Sequence, residues 1–513
     1  MKRAARAVAF ATTLLFAAWV LAQAPQRSPA PPAAPGAPPA LPAPPPTNAA
    51  PATPSATVPP ASVPPVNPPA TTTPPDTDAP PAQNLPSGPN GGTVPPAAAA
   101  GPVSATAETI YAAARPRLLQ IRTLVQTAGG QSTIGSGFLV TADGFALTNY
   151  HVVSQYALEP TTYRLEYAAP DGSRGPLKLH AIDVANDLAV VQLDRAGLPF
   201  FEFDERAVKG ELPKGERLYA MGNPLDLGFT IVEGTYNGLV DRSYSERMHL
   251  SGALNPGMSG GPAVTGAVKV AGVNVAKQVG GELVSFLVPA RHAAALLERA
   301  RTSGPLTPEQ ARSELTRQLV AWQAALYAAL ANKGFRLVTL GPYRAPESAV
   351  DWFSCWSRTN ADPNVNPRAL VNQTNCSTQN ALFVSDDLQT GEIEIVHSYA
   401  RSLDLNAFQF ANFISEQYRS SGLGRGSRKR QTPQKCDEDF VSTGAAASRP
   451  LLRVVWCARA YREFEGLYDV AVTSVTQDRD REALVSRLTM NGTSWPNAVA
   501  MARRFLDSVE WAP

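Results

Sequence analysis

The chain has 513 residues, with 45 lysines and arginines against 43 acidic residues and a formal net charge of +2. This balance gives no reason to expect a nucleic acid as a partner, because polyanion binding needs a marked excess of positive charge. A chain of this length is expected to form several domains.

The first 22 residues have the features of a secretory signal peptide. Basic residues at Lys2 and Arg3 precede an apolar run, and cleavage is expected after Ala22 because Pro25 follows the next small residue. The alternative is an uncleaved membrane anchor, since the run is only slightly shorter than a membrane span. We therefore expect an exported protein of the periplasm or cell envelope, or a secreted one, with a membrane as partner only if this segment is retained.

Residues 23–101 are rich in alanine and proline and hold more than half of the 48 prolines of the chain. Such a segment buries too little apolar surface to offset the entropy of ordering it. Its prolines favour extended polyproline II conformations. We predict a disordered, extended linker that holds the protease away from a membrane or lets it reach through cell-wall material; a disposable linker or propeptide stays open as the alternative.

Residues 102–303 contain short apolar runs separated by glycine-containing turns, which favour β-barrels over a parallel sheet. We predict an all-β double barrel closed by a helix at residues 290–301. The runs of the first barrel are 118–125, 137–140, 145–153, 163–167 and 188–193, and those of the second are 217–221, 229–239, 248–254, 268–276 and 283–288.

Three residues in this region suggest nucleophilic catalysis. A serine hydroxyl needs a base and a carboxylate that orients the base, and His151, Asp187 and Ser259 supply these groups. The order His, Asp, Ser is that of chymotrypsin-type barrels. The glycines beside Ser259 allow the N–H groups of Gly257 and Ser259 to form an oxyanion hole. This chemistry needs neither a cofactor nor a metal ion.

Five motifs resemble the trypsin-like domain of the HtrA (Deg) family. They are Ile134 to Val140, Leu147 to Val153, Asp187 to Val190, Met221 to Pro224 and Leu254 to Pro262. The resemblance implies two six-stranded barrels, a cleft between them and cofactor-free endopeptidase activity. The sequence departs from the usual pattern of this family at two points. No PDZ domain is recognised after residue 303, and Met258 precedes the nucleophile, so activation by a new N-terminal amine is not expected.

The resemblance also implies a specificity. Ala253 lies six residues before the nucleophile, at the base of the S1 pocket, with Leu254 beside it, and neither is acidic. Val275, Ala276 and Lys277 correspond to the edge strand that pairs with an extended substrate. We expect cleavage after small or medium apolar residues.

Residues 304–513 match no recognised family, and their pattern predicts an α+β domain. Helices are expected at 308–332, 406–419 and 495–509, and strands at 381–384, 392–397, 452–457 and 468–475. The apolar stripe of the first helix is interpreted as core. The basic segment 425–430 is interpreted as a solvated loop rather than an anion-binding site, because no aromatic residues interleave with its charges.

All four cysteines lie in this tail, at Cys355, Cys376, Cys436 and Cys457. An exported chain with an even number of cysteines is expected to form disulfides. Three connectivities are open; the equal separations, about 21 residues, favour the two local pairs. No cysteine or histidine spacing suggests a zinc site.

The function predicted from the sequence is that of an exported serine endopeptidase acting on polypeptides, in a role that includes envelope protein quality control. Two alternatives stay open. In one, the tail is a binding module and the protease-like domain is latent; in the other, the same serine serves an esterase or acyl-transfer enzyme. The sequence makes no prediction of the oligomeric state.

Overall fold

The structure, a computed structural model, describes residues 103–277, 283–362, 364–378, 381–418, 422–442 and 449–512. The signal peptide and linker predicted for residues 1–101 lie outside this range. Within the described residues no helix has the length and apolar character needed to cross a membrane.

Six antiparallel strands close into a first barrel, in the order β1-β2-β3-β6-β5-β4. The elements of this region are α1 (Val103–Ala114), β1 (Leu118–Val125), β2 (Gln131–Leu139), β3 (Phe145–Thr148), α2 (Tyr150–Leu158), β4 (Tyr163–Ala168), β5 (Arg174–Asp183) and β6 (Leu188–Leu193).

A second barrel follows, in the order β10-β11-β12-β9-β8-β7. The two barrels confirm the predicted all-β double-barrel architecture. The elements of this region are α3 (Glu205–Lys209), β7 (Arg217–Gly222), β8 (Thr230–Leu239), β9 (Met248–Ser251), β10 (Pro262–Val264), β11 (Val270–Lys277), β12 (Val284–Pro289) and α4 (Ala290–Thr302).

The run predicted as a strand at residues 145–153 is divided in the structure. Strand β3 ends at Thr148 and helix α2 begins at Tyr150, so the histidine predicted on a strand lies in the first turn of a helix. The β-branched Val152 and Val153 favour a strand locally. Asn149 is the N-cap residue of this helix and has the extended conformation that is usual there. The helix buries both valines in the core.

The tail combines a seven-stranded antiparallel sheet, in the order β15-β16-β19-β23-β22-β21-β20, with two smaller sheets, β13-β14-β24 and β17-β18. This confirms the predicted α+β class. Its elements are α5 (Pro308–Lys333), β13 (Phe335–Leu340), β14 (Tyr343–Ser348), β15 (Ser354–Thr359), β16 (Ala369–Ser377), β17 (Leu382–Ser385), β18 (Leu388–Thr390), β19 (Ile393–Ser402), α6 (Ala407–Tyr418), β20 (Lys435–Val441), β21 (Leu452–Ala460), β22 (Leu467–Thr476), β23 (Glu482–Ser494), α7 (Trp495–Asp507) and β24 (Glu510–Trp511).

Helices cover both faces of the seven-stranded sheet. Successive side chains of a strand point to opposite faces. Val470 and Val472 of β22 accordingly pack in the cluster that contains residues of α5 and α7, whereas Ala471 packs in the cluster that contains residues of α6. The central strands are therefore buried on both sides.

Helix α5 joins the tail to the first barrel. Its Leu315 and Leu319 belong to the same apolar cluster as residues of the first barrel, while Leu326 packs against the tail sheet. Gln318 adds polar contacts, because its side-chain amide donates to the carbonyl of Ile182 and accepts from the N–H of Val184, each at 2.8 Å. The predicted boundary near residue 303 therefore separates two regions that share a core.

Both disulfides connect directly paired residues at the edges of the seven-stranded sheet. Cys355 is bonded to Cys376 across β15 and β16, and Cys436 is bonded to Cys457 across β20 and β21. These are the two local pairs that the sequence favoured.

The basic segment 425–430 is only partly solvated. Its last residue, Arg430, is buried and forms ion pairs with Glu159 of the first barrel and with Asp387 and Glu463 of the tail. The interpretation as a solvated loop is therefore wrong for Arg430, because carboxylates distant in the sequence compensate the burial of its charge.

Candidate active site

His151 and Asp187 form a close pair in the first barrel. Nδ1 of His151 lies 2.7 Å from Oδ2 of Asp187, and the backbone N–H of His151 donates to Oδ1 of Asp187 at 2.9 Å. Asp187 lies just before β6 with a left-handed φ of 59°. The side chain of Asn149 donates to its carbonyl at 2.7 Å and so fixes this turn. The two contacts with His151 therefore hold both carboxylate oxygens of Asp187.

Burial and charge act in opposite directions on His151. Burial lowers the pKa of His151, but the charge of Asp187, its hydrogen bond and the charge of Asp386 in the tail outweigh this, so the pKa is raised. A raised pKa means that the imidazolium form is favoured more than in water. The site is therefore suited to holding a proton on this ring.

Arg247 is a charged residue near this pair that the sequence analysis did not identify. Burial lowers its pKa, and the charges of Asp187 and Asp183 oppose that effect. The loop that carries Arg247 connects β8 to β9. The second barrel therefore contributes a half-buried positive charge whose field acts on the carboxylate that binds His151.

Ser259 lies in the loop between β9 and β10, next to the start of α2. A Cβ added at Gly260 would come within 2.8 Å of the backbone nitrogen of Asn149. The hydroxyl of Ser259 donates to the carbonyl of Val275 at 3.3 Å. No hydrogen bond between Ser259 and His151 is present among the described residues, so the structure pairs the histidine with the aspartate and directs the serine hydroxyl elsewhere.

The glycines of this loop are required by its geometry. Gly257 has φ of 94° and Gly260 has φ of 84°, in the left-handed region that glycine adopts without penalty. A Cβ at Gly257 would also approach the carbonyl oxygen of Asn223 to 2.5 Å. Both the backbone conformation and the available space therefore exclude a side chain.

Ser136 on β2 supports the nucleophile loop, a role that the sequence analysis did not assign. Its hydroxyl donates to the carbonyl of Gly257 at 2.7 Å and accepts from the N–H of Asn223 at 2.9 Å. Its backbone N–H donates to the carbonyl of Ser259 at 2.8 Å. Within the described part of the chain, the N–H groups of Gly257 and Ser259 have no hydrogen-bond acceptor. The first barrel thus holds the loop in place.

The residues expected to line an S1 pocket differ in exposure. Ala253 is exposed, whereas Leu254 is buried in the core of the second barrel. Ser285 of β12 links the residues on either side of Ala253: its hydroxyl donates to the carbonyl of Gly252 at 2.7 Å and accepts from the N–H of Leu254 at 3.2 Å. Only the structure identifies Ser285 as a support of this segment.

The proposed substrate strand lies at the end of β11. Ala276 pairs with Phe286 and Lys277 with Ser285, both on β12, and a bulge falls at Val275. On the other side, β10 pairs with β11 only as far as Val273. Within the described residues, the backbone of 275–277 therefore has a strand partner on one side only.

One cluster of potential metal ligands occurs in the described residues, namely Glu347 with Cys355 and Cys376. The two sulfurs are bonded to each other. A disulfide has no thiolate to offer a metal ion, so these residues do not form a metal site.

Comparison with known proteins identifies the domain that carries this site. Residues 135–273 match the family model described as the trypsin-like peptidase domain, and this range includes His151, Asp187 and Ser259. The chain contains a trypsin-like peptidase domain. The predicted resemblance to HtrA and Deg proteins is confirmed by curated relatives of that type.

Two relatives illustrate the extent of the similarity. HhoB of Synechocystis sp. is 34% identical over 181 residues, which cover 34% of this chain and 41% of HhoB. The Chlamydia muridarum protein named "Probable periplasmic serine endoprotease DegP-like" is 30% identical over 181 residues, which cover 34% of this chain and 35% of that protein. The chain thus spans about two fifths or less of the length of these relatives.

The crystal structure of the serine endoprotease from Yersinia pestis is also similar, with 24% sequence identity and a TM-score of 0.34. It covers 39% of this chain and 68% of that chain. The match to the family model ends at residue 273, before the tail begins.

Proposed function

We propose that this chain is an exported serine endopeptidase of the trypsin-like type. Its principal support is the His151–Asp187 pair, held next to the glycine loop of Ser259 within a trypsin-like peptidase domain. The relatives named as periplasmic serine endoproteases favour polypeptides as substrates and the periplasm as location.

Each member of the proposed triad has a distinct role. Asp187 accepts a hydrogen bond from Nδ1–H of His151, which leaves Nε2 free to take the proton of Ser259 as the hydroxyl attacks the peptide carbonyl. The resulting imidazolium is stabilised by Asp187 and then gives the proton to the leaving amine. Water, deprotonated by His151 in the same way, hydrolyses the acyl-enzyme.

Substrate binding is coupled to the direction of the serine hydroxyl. In the structure this hydroxyl donates to the carbonyl of Val275. An extended peptide that pairs with residues 275–277 offers its own N–H to the same carbonyl. When the substrate N–H occupies the carbonyl of Val275, the hydroxyl of Ser259 loses this acceptor and turns toward Nε2 of His151. The nucleophile is therefore activated when the substrate is in place.

The N–H groups of Gly257 and Ser259 are the proposed oxyanion hole. Both lack an acceptor within the described residues, and the hydroxyl of Ser136 holds the loop by donating to the carbonyl of Gly257. Two such donors stabilise the negative charge of the tetrahedral intermediate, and a single donor contributes about 10²- to 10³-fold to turnover.

The proposed specificity is for small or medium apolar residues before the cleaved bond. Ala253 and Leu254 provide no carboxylate to bind a basic side chain. Profiling with a peptide library should show cleavage after Val, Ala or Leu. Dominant cleavage after Lys or Arg contradicts the assignment of these two residues.

The activity is tested by casein cleavage with the full mature chain. Replacing His151, Asp187 or Ser259 by Ala should each lower turnover by roughly 10⁴-fold, because the members of a triad act as one unit. Ser415→Ala is a matched control, since Ser415 is exposed on α6. Comparable cleavage by wild type and Ser259→Ala shows that another group is responsible.

A fluorophosphonate probe separates the alternatives. An esterase or acyl-transfer enzyme is labelled at Ser259 but leaves casein intact. A latent protease-like domain that serves only as support for a binding tail is neither labelled nor active. Labelling together with cleavage supports the endopeptidase.

A further inference from the structure

The tail reaches the helix that carries His151. The hairpin formed by β17 and β18 lies against α2, where the hydroxyl of Tyr150 donates to the carbonyl of Val384 at 2.8 Å. Both residues are fully buried, and they are 234 positions apart in the sequence. Burial raises the pKa of Tyr150, so its hydroxyl keeps the proton that it donates. The hairpin and the helix are thus joined inside a common core.

An aromatic side chain of this hairpin contacts the histidine itself. The ring of Phe383 lies edge-to-face with the imidazole of His151, with centroids 5.9 Å apart and an interplanar angle of 72°. The same ring packs against Tyr150 at 6.4 Å. Edge-to-face packing is a preferred geometry of aromatic pairs. Phe383 therefore restricts the tilt of a ring whose Nδ1 is held by Asp187.

A third contact is polar. The side-chain amide of Gln155, one turn after His151 on α2, donates to Oδ2 of Asp386 at 2.8 Å. Asp386 lies at the exposed turn of the hairpin, and its charge acts on the imidazole in the same direction as that of Asp187. The tail therefore adds a second negative charge, beside that of Asp187, that favours the protonated form of His151.

The hairpin is itself firmly connected to the rest of the chain. Asp387 accepts hydrogen bonds from Ser385 and Ser427 and lies in an ion pair with Arg430. At the other end, the hydroxyl of Thr390 donates to that of Tyr461, which in turn donates to Asp469. These contacts fix both ends of the hairpin, so it can hold a catalytic group in place.

We propose that the hairpin 382–390 is a positioning element of the active site, in which Phe383 fixes the ring of His151 while Val384 and Asp386 hold helix α2. The proposal rests on the serine endopeptidase function proposed above. It makes turnover by the trypsin-like domain dependent on the tail. Phe383 and Asp386 act through His151 and need not touch the substrate.

The first test is a kinetic comparison of full-length variants on a peptide substrate. Phe383→Ala should lower kcat by about 10- to 100-fold with little change in KM, because a small misplacement of a catalytic group has an effect of this size. Phe383→Tyr keeps the ring and should restore kcat. Phe408→Ala is the matched control, since Phe408 is exposed on α6. Equal kcat in Phe383→Ala and Phe408→Ala overturns the role of Phe383.

The second test is the pH profile of kcat/KM, whose acid limb reports the pKa of His151 in the free enzyme. Asp187 and Asp386 are the charged groups that act directly on this ring, whereas Arg247 acts on Asp187 and Arg430 on Tyr150. Asp386→Asn removes a charge that favours the imidazolium, so the acid limb should move to lower pH. An unmoved limb contradicts the role of Asp386.

The matched control is Asp404→Asn, a substitution of an exposed aspartate between β19 and α6, which should leave the profile unchanged. If wild type neither cleaves casein nor reacts at Ser259, the proposed function fails. The pKa of His151, measured by NMR titration of the imidazoles, then still tests the hairpin. A lower pKa in Asp386→Asn than in Asp404→Asn supports the contact, and equal pKa values refute it.

Discussion

Arg430 provides a quantitative test of the connection between tail and first barrel. Its side chain is 4% exposed and is paired with Glu159, Asp387 and Glu463. Removing one partner of a buried ion pair typically destabilises a protein by about 3–5 kcal/mol, because the remaining charge loses its compensation. These carboxylates keep 22% to 45% exposure, so we expect the lower end, about 3 kcal/mol, for Arg430→Met.

Lys429 supplies a matched control. It pairs with the same Glu159, but its side chain is 57% exposed. Solvent-exposed ion pairs contribute about 1 kcal/mol or less, so Lys429→Met should have a small effect. The assay is urea unfolding at neutral pH, with the free energy of unfolding obtained by linear extrapolation. Equal losses in the two variants refute the claim that Arg430 connects the tail to the barrel.

The pH dependence of this loss gives an independent check. Burial raises the pKa of Asp387, but hydrogen bonds from Ser427 and Ser385 and the charge of Arg430 outweigh that effect, so the pKa is lowered. A carboxyl whose folded pKa is below its unfolded value stabilises the fold above the unfolded pKa, and this contribution is lost as the pH falls through the folded pKa. The difference between wild type and Arg430→Met should therefore shrink on acidification.

Two further predictions concern stability. Burial lowers the pKa of His397 to about 4 in the folded protein, against an ordinary value near 6.5. The unfolded chain therefore takes up the proton first, and the free energy of unfolding should fall by about 3 kcal/mol as the pH falls from roughly 6.5 to 4. His397→Gln should flatten the plot of unfolding free energy against pH in this range. Parallel plots for variant and wild type refute the role of His397. Each tail disulfide should contribute on the order of 3 kcal/mol, so that replacing Cys355 and Cys376, or Cys436 and Cys457, by Ala lowers the unfolding free energy by that amount; unchanged stability contradicts a structural role.

The barrels were predictable from the sequence because their signals are local. The runs at residues 118–125 and 188–193 coincide with β1 and β6, since short segments rich in apolar residues are typical of strands that are mostly buried. Strand β5 was missed because Gly175 and Pro176 interrupt its pattern. The three-residue strand β10 was too short to be recognised.

The contacts between distant parts of the chain were not predictable. Nothing in the sequence near Arg430 indicates that Glu159, 271 positions away, compensates its charge. The packing of Phe383 on His151 likewise depends on how two separate regions fold together. Ser136 lay within a recognised motif, yet only the structure shows that its hydroxyl supports the loop of Ser259. Such roles arise from tertiary packing, which local patterns do not record.

The central claim is that Ser259 is a nucleophile activated by His151. The most direct measurement is mass spectrometry of the full-length chain after reaction with a fluorophosphonate, with peptide mapping of the adduct. We predict one adduct per chain, located on Ser259, and strongly slowed labelling in His151→Ala. An adduct on another residue, or equal labelling rates in wild type and His151→Ala, contradicts the claim.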